Sequence, residues 1–195
     1  MRITGGRFGG RTLAGPKDIS VRPTADKVRQ AMFNILEHHD FADFSLAGAR
    51  VIDLFAGTGA MGLEAISRGA DFCLFVDDAA ESRALLRQNV ESLQLTGNSK
   101  IWRRDARMLG TLPPGVGGPF GLAFLDPPYR KSLIAPALGS LAAGGWLAPG
   151  ALVVVECAED EAAPELEEFI KADDRVYGDT RVTFLVVQPR CPAIA

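Results

Sequence analysis

Three glycines set between an apolar run and a helical one leave few folds open to this chain. Gly57, Gly59 and Gly62 follow on Arg50–Phe55 (RVIDLF), which reads as a strand, and they open a helix that extends to about Arg68. The G-x-G-x-x-G spacing in that setting is a strand-to-helix turn built for close approach of the backbone to a ligand or a neighbouring element. The rest of the chain continues the same alternation. Phe72–Val76 is a strand, 79–95 a helix with Leu86, Val90 and Leu93 on one face, 99–103 and Leu122–Leu125 strands, 132–143 a helix and Ala151–Glu156 a strand. An acidic helix over 161–171 precedes two strands, 174–178 and Arg181–Gln188, which the short link Gly178-Asp179 joins as a hairpin. Strands alternating with helices require right-handed crossovers. They predict a mostly parallel sheet with helices on both faces, here seven-stranded with an antiparallel edge strand. The expected fold is α/β and Rossmann-like.

Size and composition agree with one such domain. The 195 residues are enough for one sizeable core, and 47% hydrophobic with 23% charged residues excludes a disordered chain. No apolar run reaches the roughly 18 residues of a membrane span, and the polar N-terminus carries no secretory signal. Cys73, Cys157 and Cys191 are odd in number and far apart, so neither a zinc site nor a disulfide framework is expected. The expectation is a cytoplasmic monomer without a metal and without a membrane partner.

The charge is uneven along the chain. Within residues 1–30, seven basic groups (Arg2, Arg7, Arg11, Lys17, Arg22, Lys27, Arg29) face Asp18 and Asp26, a balance of +5, whereas the whole chain carries −3. A basic end on an acidic body points to an acidic partner for that end. Residues 1–23 are too rich in glycine for a long element and read as an arm. Thr24 then caps a helix over about 25–38 whose Val28, Ala31, Met32, Ile35 and Leu36 share a face. Residues 1–40 are therefore assigned as arm and amphipathic helix, and 41–195 as the enzyme domain.

The glycine spacing alone suits NAD as well as other adenosine cofactors, and Asp77 stands 20 residues after Gly57 where a ribose-binding acid belongs. Asp53 separates these readings. A carboxylate at the strand end repels a pyrophosphate. S-adenosylmethionine has no phosphate and presents an ammonium and a sulfonium. Two unit charges about 4 Å apart near a surface interact by roughly 4 kcal/mol, enough to bias the choice. Asp53 thus favours S-adenosyl-L-methionine and opposes an NAD-dependent oxidoreductase. Asp105-Ala106, after the third strand, is a candidate for the adenine edge.

Leu122–Leu125 ends in Asp126-Pro127-Pro128-Tyr129. Two prolines hold the backbone extended and present the tyrosine ring just beyond. Such a turn, at the carboxyl end of its strand, faces the same crevice as the glycine loop. It suits methylation of an exocyclic amine on a planar base, a weak nucleophile because its lone pair is delocalised. Asp126 and the Pro127 carbonyl can accept the amine hydrogens, and the Tyr129 face can stack on the base for about 1–3 kcal/mol. Aligning nitrogen, methyl carbon and sulfur is the remaining contribution.

DLFAGTGAMGLEA, the acid after FCLFV and FLDPPY resemble class I methyltransferases that act on exocyclic amino groups. GGRFGGRTL, RPTADKVRQAMFNIL and YGDTRVTF narrow the resemblance to the RsmD family. That family methylates the N2 of a guanine in bacterial 16S ribosomal RNA. The resemblance implies that Asp53, Phe55, Gly57, Thr58 and Gly59 hold the methionine part of the cofactor, with Asp77 on the ribose, where the family often has Glu. It puts Asp105 and Ala106 near the adenine, and Asp126, Pro127, Pro128 and Tyr129 at the target amine. Arg2, Arg7, Arg11, Lys17, Arg22, Arg29 and Arg130 would then contact RNA, either 16S rRNA or the small ribosomal subunit. Lys100, Arg103, Arg104, Arg107 and Lys131 would extend the track. The acidic stretch 156–168 is expected on a solvated helix face away from the RNA.

Other readings of the same residues stay open. An Asp-Pro-Pro-Tyr turn serves adenine N6 or a protein glutamine amide equally, and a basic arm alone suits a non-catalytic RNA-binding module. His38 and His39 are expected to be solvated, Trp146 to pack beneath a loop and Cys73 to be buried.

Overall fold

The apolar runs build one sheet, ordered by where each crossover carries the chain. The computed structural model describes residues 1–16, 23–39, 41 and 44–188. The described elements in chain order are α1 (Pro23–His38), β1 (Arg50–Leu54), α2 (Ala60–Ser67), β2 (Phe72–Val76), α3 (Ala80–Ser92), β3 (Ser99–Trp102), β4 (Phe120–Leu125), α4 (Ile134–Ala143), β5 (Leu147–Ala158), β6 (Phe169–Tyr177) and β7 (Thr180–Val187). The seven strands run β3-β2-β1-β4-β5-β7-β6. Pairing is parallel from β3 to β5 and antiparallel on both sides of β7. The chain order reverses direction between β1 and β4, which opens a crevice at the carboxyl ends of these strands.

Because strand side chains alternate faces, each central strand feeds two cores. Val51, Cys73, Phe75, Leu122, Phe124 and Val154 point to the face covered by α1, α2 and α3, against Met32, Phe33, Leu63 and Leu86. Ile52, Leu54, Leu74, Val76, Leu125 and Val155 point to the other face, against Leu138 and Leu141 of α4 and Trp146. Trp146 is fully buried and donates its indole N–H to the Gly110 carbonyl at 2.7 Å, which is the packing role expected of it. Cys73 is buried, also as expected.

Two local expectations are corrected. There is no helix over 161–171; the chain turns and then enters β6 at Phe169, five residues earlier than the strand read from the sequence. Pro164 interrupts any helix there, and the open edge of β7 takes up 169–177 by backbone pairing instead. This edge strand is rich in charge, with Lys171 and Arg175 exposed and Asp173 and Asp174 half-buried in pairs with Arg175 and Arg181, which hides it from a hydrophobicity reading. The second correction is at α1, which starts at Pro23, so that Thr24 lies in its first turn instead of capping it.

The N-terminal arm folds onto the body over its described residues. Arg2 and Thr12 form an antiparallel bridge, with Ile3 N–H donating to the Arg11 carbonyl and Gly10 N–H to that of Ile3, both at 2.9 Å. Ile3 and Leu13 are buried in the same core as α1 and α2. At Gly6 (φ 70°) a Cβ would collide with the Ser67 carbonyl, so only glycine lets the arm lie this close to α2. The anchor is Glu64 of α2, fully buried. It accepts from Thr4 N–H (2.7 Å), the Thr4 hydroxyl (2.8 Å), Arg68 Nε (2.8 Å) and Arg29 Nε (3.4 Å). Lys17, Arg22 and Cys191 lie outside the described residues.

Candidate active site

The five strands of the parallel part end on one side of the sheet, and the segments that follow them line a single cleft of about 820 Å³. After β1 comes Phe55, in a left-handed backbone conformation (φ 58°) that a bulky residue holds at a cost on the order of 1–3 kcal/mol. The turn is fixed from several sides. Gly57 N–H donates to Asp77 Oδ2 at 2.8 Å, Gly59 N–H to the Ala56 carbonyl at 2.7 Å, and Gly62 N–H to Asp53 Oδ2 at 2.9 Å. At Gly62 a Cβ would strike the Cys73 sulfur and the Phe75 ring, so the third glycine lets α2 pack on β2.

Asp77, after β2, accepts from two backbone groups, Gly57 N–H and Ala79 N–H, both at 2.8 Å. It couples the glycine loop to the start of α3 and still faces the cleft. A carboxylate has about four acceptor sites, so two remain for a ligand's hydroxyls. Asp105, after β3, caps the following turn and binds Arg107 through Nε (2.9 Å) and Nη2 (2.6 Å). Those hydrogen bonds from Arg107 hold its carboxyl below the ordinary range.

After β4 stands Asp126, and after the core of β5 stands Glu156. The pairing of β4 with β5 ends at Leu125 and Val155, the residues that immediately precede Asp126 and Glu156, and both acids line the cleft. The Tyr129 hydroxyl donates to Glu156 Oε1 at 2.9 Å and lies 3.3 Å from Thr180 Oγ1. Asp126 is open to the cleft, but the cleft is a recess among protein atoms. That enclosure, then the Glu156 charge and then Asp53, push its carboxyl well above the ordinary range. Burial raises Glu156 too, against the opposing Tyr129 hydrogen bond and the Arg29 charge. Burial and the neighbouring Glu156 raise the Tyr129 phenol. Asp53 is pushed up to about 8, first by burial and further by Asp77, against the opposing Gly62 N–H. Among the described residues no cation is within ion-pair distance of Asp53, Asp126 or Glu156.

A family model described as Conserved hypothetical protein 95 matches residues 1–186. Ribosomal RNA small subunit methyltransferase D of Escherichia coli (strain K12) is 35% identical over 165 residues, covering 84% of this chain and 78% of its own. The chain belongs to the RsmD family of methyltransferases. YlbH of Bacillus subtilis (strain 168) is 33% identical over 184 residues, covering 93% of this chain and 96% of its own. The solved structure of yhhF from Escherichia coli superposes with a TM-score of 0.79 at 30% identity, over 97% of this chain and 99% of that one. At 19% identity and a TM-score of 0.57, the structure of SMU.776, which was solved complexed with SAH, shares the class I methyltransferase fold over 86% of this chain and 50% of its own.

The residues that the RsmD resemblance assigns divide into three groups. Phe55, Gly57, Asp77, Asp105, Ala106, Asp126, Pro127, Pro128 and Tyr129 all line the cleft. Asp53, Thr58 and Gly59 do not, because each is engaged in building the loop. Asp53 lies under it at 2% exposure, the Thr58 carbonyl accepts from Asn89 Nδ2 at 2.9 Å, and Gly59 is packed against Leu86 and Phe75. Arg2, Arg7, Arg11 and Arg130 are exposed, Arg7 over the Phe8 ring and Arg130 paired with Asp160 at 2.9 Å. Arg29 is the correction among the basic residues. It is 4% exposed, with its guanidinium spent on Asp26, Glu64 and the Arg2 carbonyl, so it anchors the arm and presents no charge to a partner.

Sequence reasoning missed Glu156, which it placed on a solvated acidic face. The signal available was its position at the carboxyl end of the apolar run Ala151–Glu156, close to the strand-end placement that made Asp53 and Asp126 candidates. Arg104 and Lys131 also line the cleft, where a track leading to it was the expectation.

Proposed function

We propose that this cleft binds S-adenosyl-L-methionine and transfers its methyl group to the exocyclic N2 of a guanine in 16S ribosomal RNA, in the cytoplasm. The observation that carries the reading is the meeting of Asp126–Tyr129 with Phe55, Gly57 and Asp77 across one cleft. The donor set fits such a cofactor. Asp77, Asp126 and Glu156 face the cleft and Asp53 lies beneath its floor without a cation, which suits a ligand bearing an ammonium and a sulfonium. Phe55 and Gly57 would hold the methionine part, Asp77 the ribose, and Asp105 with Ala106 the adenine.

When bound, S-adenosyl-L-methionine supplies a methyl group on a positively charged sulfur. The chain supplies alignment and acceptors. Asp126 and the Pro127 carbonyl take the amine hydrogens and turn the nitrogen lone pair toward the methyl carbon, and the Tyr129 ring stacks on the base. In the transfer the nitrogen would gain the methyl group as the cofactor's S–C bond breaks to leave a neutral thioether, and the proton shed by the methylated nitrogen would pass out through the open cleft to solvent. The target base must stand free of its helix for its edge to enter. Arg2, Arg7 and Arg11 would hold phosphates without reading sequence, so shortening the arm should flatten the salt dependence of RNA binding.

The test is methyl transfer from labelled cofactor to 30S particles or 16S RNA lacking the modification, followed by digestion to nucleosides. N2-methylguanosine is expected, and Asp126→Ala should lower the rate by about 100-fold or more with cofactor affinity retained. Absence of label with cofactor binding intact would overturn the substrate and bring adenine N6 or a protein amide forward.

A further inference from the structure

Glu156 has no part in the chemistry described above, yet it lies in the cleft beside the residue that receives the amine. The β4–β5 register pairs Leu125 with Val155, the residues just before Asp126 and Glu156, and both acids line the same cleft. Its Oε1 is held by the Tyr129 hydroxyl at 2.9 Å, so the side chain is fixed by the same turn that would stack the base. One hydrogen bond leaves most of the acceptor capacity of a carboxylate unused, and no Lys or Arg among the described residues is within ion-pair distance of it. The enclosing cleft and then the Glu156 charge raise the Asp126 carboxyl, and burial raises that of Glu156, so two carboxylates in one cleft are a costly arrangement to hold. It becomes favourable once two N–H donors arrive side by side.

Among the amines of the standard bases, only one offers that pair. The adenine N6 amine is flanked by the ring acceptors N1 and N7, and the cytosine N4 amine has the acceptor N3 beside it. The guanine N2 amine stands next to N1–H, a donor. A carboxylate beside a ring acceptor is repelled; beside a ring N–H it makes a charge-assisted hydrogen bond. A glutamine side-chain amide has no second donor to offer. We infer that Glu156 is the residue that selects guanine, accepting the ring N1–H while Asp126 receives the adjacent N2 amine. The inference rests on the methyl transfer to a base amine proposed above.

The test compares two target bases within one enzyme. Particles are assembled with RNA that carries either guanine or 2-aminopurine at the mapped nucleotide. The analogue keeps the N2 amine but has an acceptor at N1 and a hydrogen in place of O6, the latter a difference common to every variant, so the reading is the change in preference between variants. The wild-type chain is expected to prefer guanine in kcat/KM by about tenfold or more. In Glu156→Gln the amide can donate to the analogue's N1, and the preference should fall by about tenfold or reverse. Glu156→Ala, with neither bond nor repulsion, should bring the two bases close to parity. Because each value is a ratio on one variant, loss of folding or of cofactor affinity cancels. Tyr129→Phe frees the acid from its tether but keeps it, so the preference for guanine should persist at a lower rate, which a role confined to orienting Tyr129 does not predict. An unchanged ratio in both Glu156 variants would overturn the inference while leaving the methyl transfer standing. A wild-type enzyme that methylates neither base would remove the proposed function itself.

Discussion

Two buried acids in this molecule are treated in opposite ways. Glu64, under the N-terminal arm, is fully buried and meets donors from Thr4, Arg29 and Arg68, two of them guanidinium groups. Asp53, 11 positions earlier and almost as deeply buried, accepts one backbone N–H from Gly62, and no cation pairs with it among the described residues. An acid whose partners all come from the chain is an anchor. An acid buried without a countercharge is held in place by the fold at a cost, which a cationic ligand arriving above it would offset. The comparison separates residues that hold the arm on the body from residues that prepare the cleft.

The largest effect that would break this contrast is Glu64→Ala. Removing the shared acid of a buried ionic network strands the Thr4 donors and leaves Arg29 with Asp26 and Arg68 with Glu37 as their remaining carboxylates, and should cost about 3–5 kcal/mol. Urea denaturation measures it, and a loss below about 1 kcal/mol would mean that the arm is held by Ile3 and Leu13 alone. Asp53→Asn should behave in the opposite sense. The amide keeps an acceptor for Gly62 N–H and replaces a carboxyl whose charged form burial disfavours, so stability holds or rises, while affinity for S-adenosyl-L-methionine falls by about 1.5–3 kcal/mol. Calorimetric titration reads this directly, and unchanged affinity would reduce Asp53 to a part of the loop.

The same residue gives the comparison a pH axis. Asp53 stands at about 8 in the fold against an ordinary 3.8. A raised acid is most favourable to the folded state when protonated, so its contribution is complete below about pH 4 and is lost as pH rises through about 8. Asp53→Asn should remove that decline from the stability profile of the ligand-free protein. A variant profile that fell in parallel with the wild type would assign the decline to another group.

Asn89 of α3 tests whether the two regions are independent. It is 1% exposed and holds Ala14 of the arm through both its N–H (2.7 Å) and its carbonyl (3.1 Å), while its amide also donates to the Thr58 carbonyl of the glycine loop. Asn89→Ala strands three backbone groups and should cost about 1–3 kcal/mol, with cofactor affinity falling alongside stability. Affinity that stayed constant would show the arm and the loop to be uncoupled. The smallest effect belongs to the surface. Arg130 and Asp160 are each 66% exposed, so Arg130→Ala should change stability by no more than about 0.5 kcal/mol. Any weakening of RNA binding in that variant would then belong to a phosphate contact.

The legible part of the fold was the part in which neighbours in sequence are also partners in structure. Phe72–Val76 is a strand at the residues the apolar run named, and Gly178-Asp179 is the hairpin turn between β6 and β7. The turn residues of the cleft were legible for the same reason, since Gly57, Asp77, Asp105 and Asp126 each stand just beyond a strand. What misled was charge. Arg29 looked like one more cation of a basic arm, because its partner Glu64 is 35 positions away. The charged β6 looked like a helix surface, because its reason for being a strand is the unpaired edge of β7.

By itself the sequence determined the alternation of strand and helix, and with it a parallel sheet whose strand ends carry glycines and acids at one crevice. Hydrophobic period and turn chemistry are local properties, fixed by residues within a few positions of each other. Which of those acids face one another was decided by the tertiary structure alone. Asp126 and Glu156 are 30 positions apart and become neighbours because the β4–β5 register pairs Leu125 with Val155, a long-range backbone pairing that no local pattern encodes.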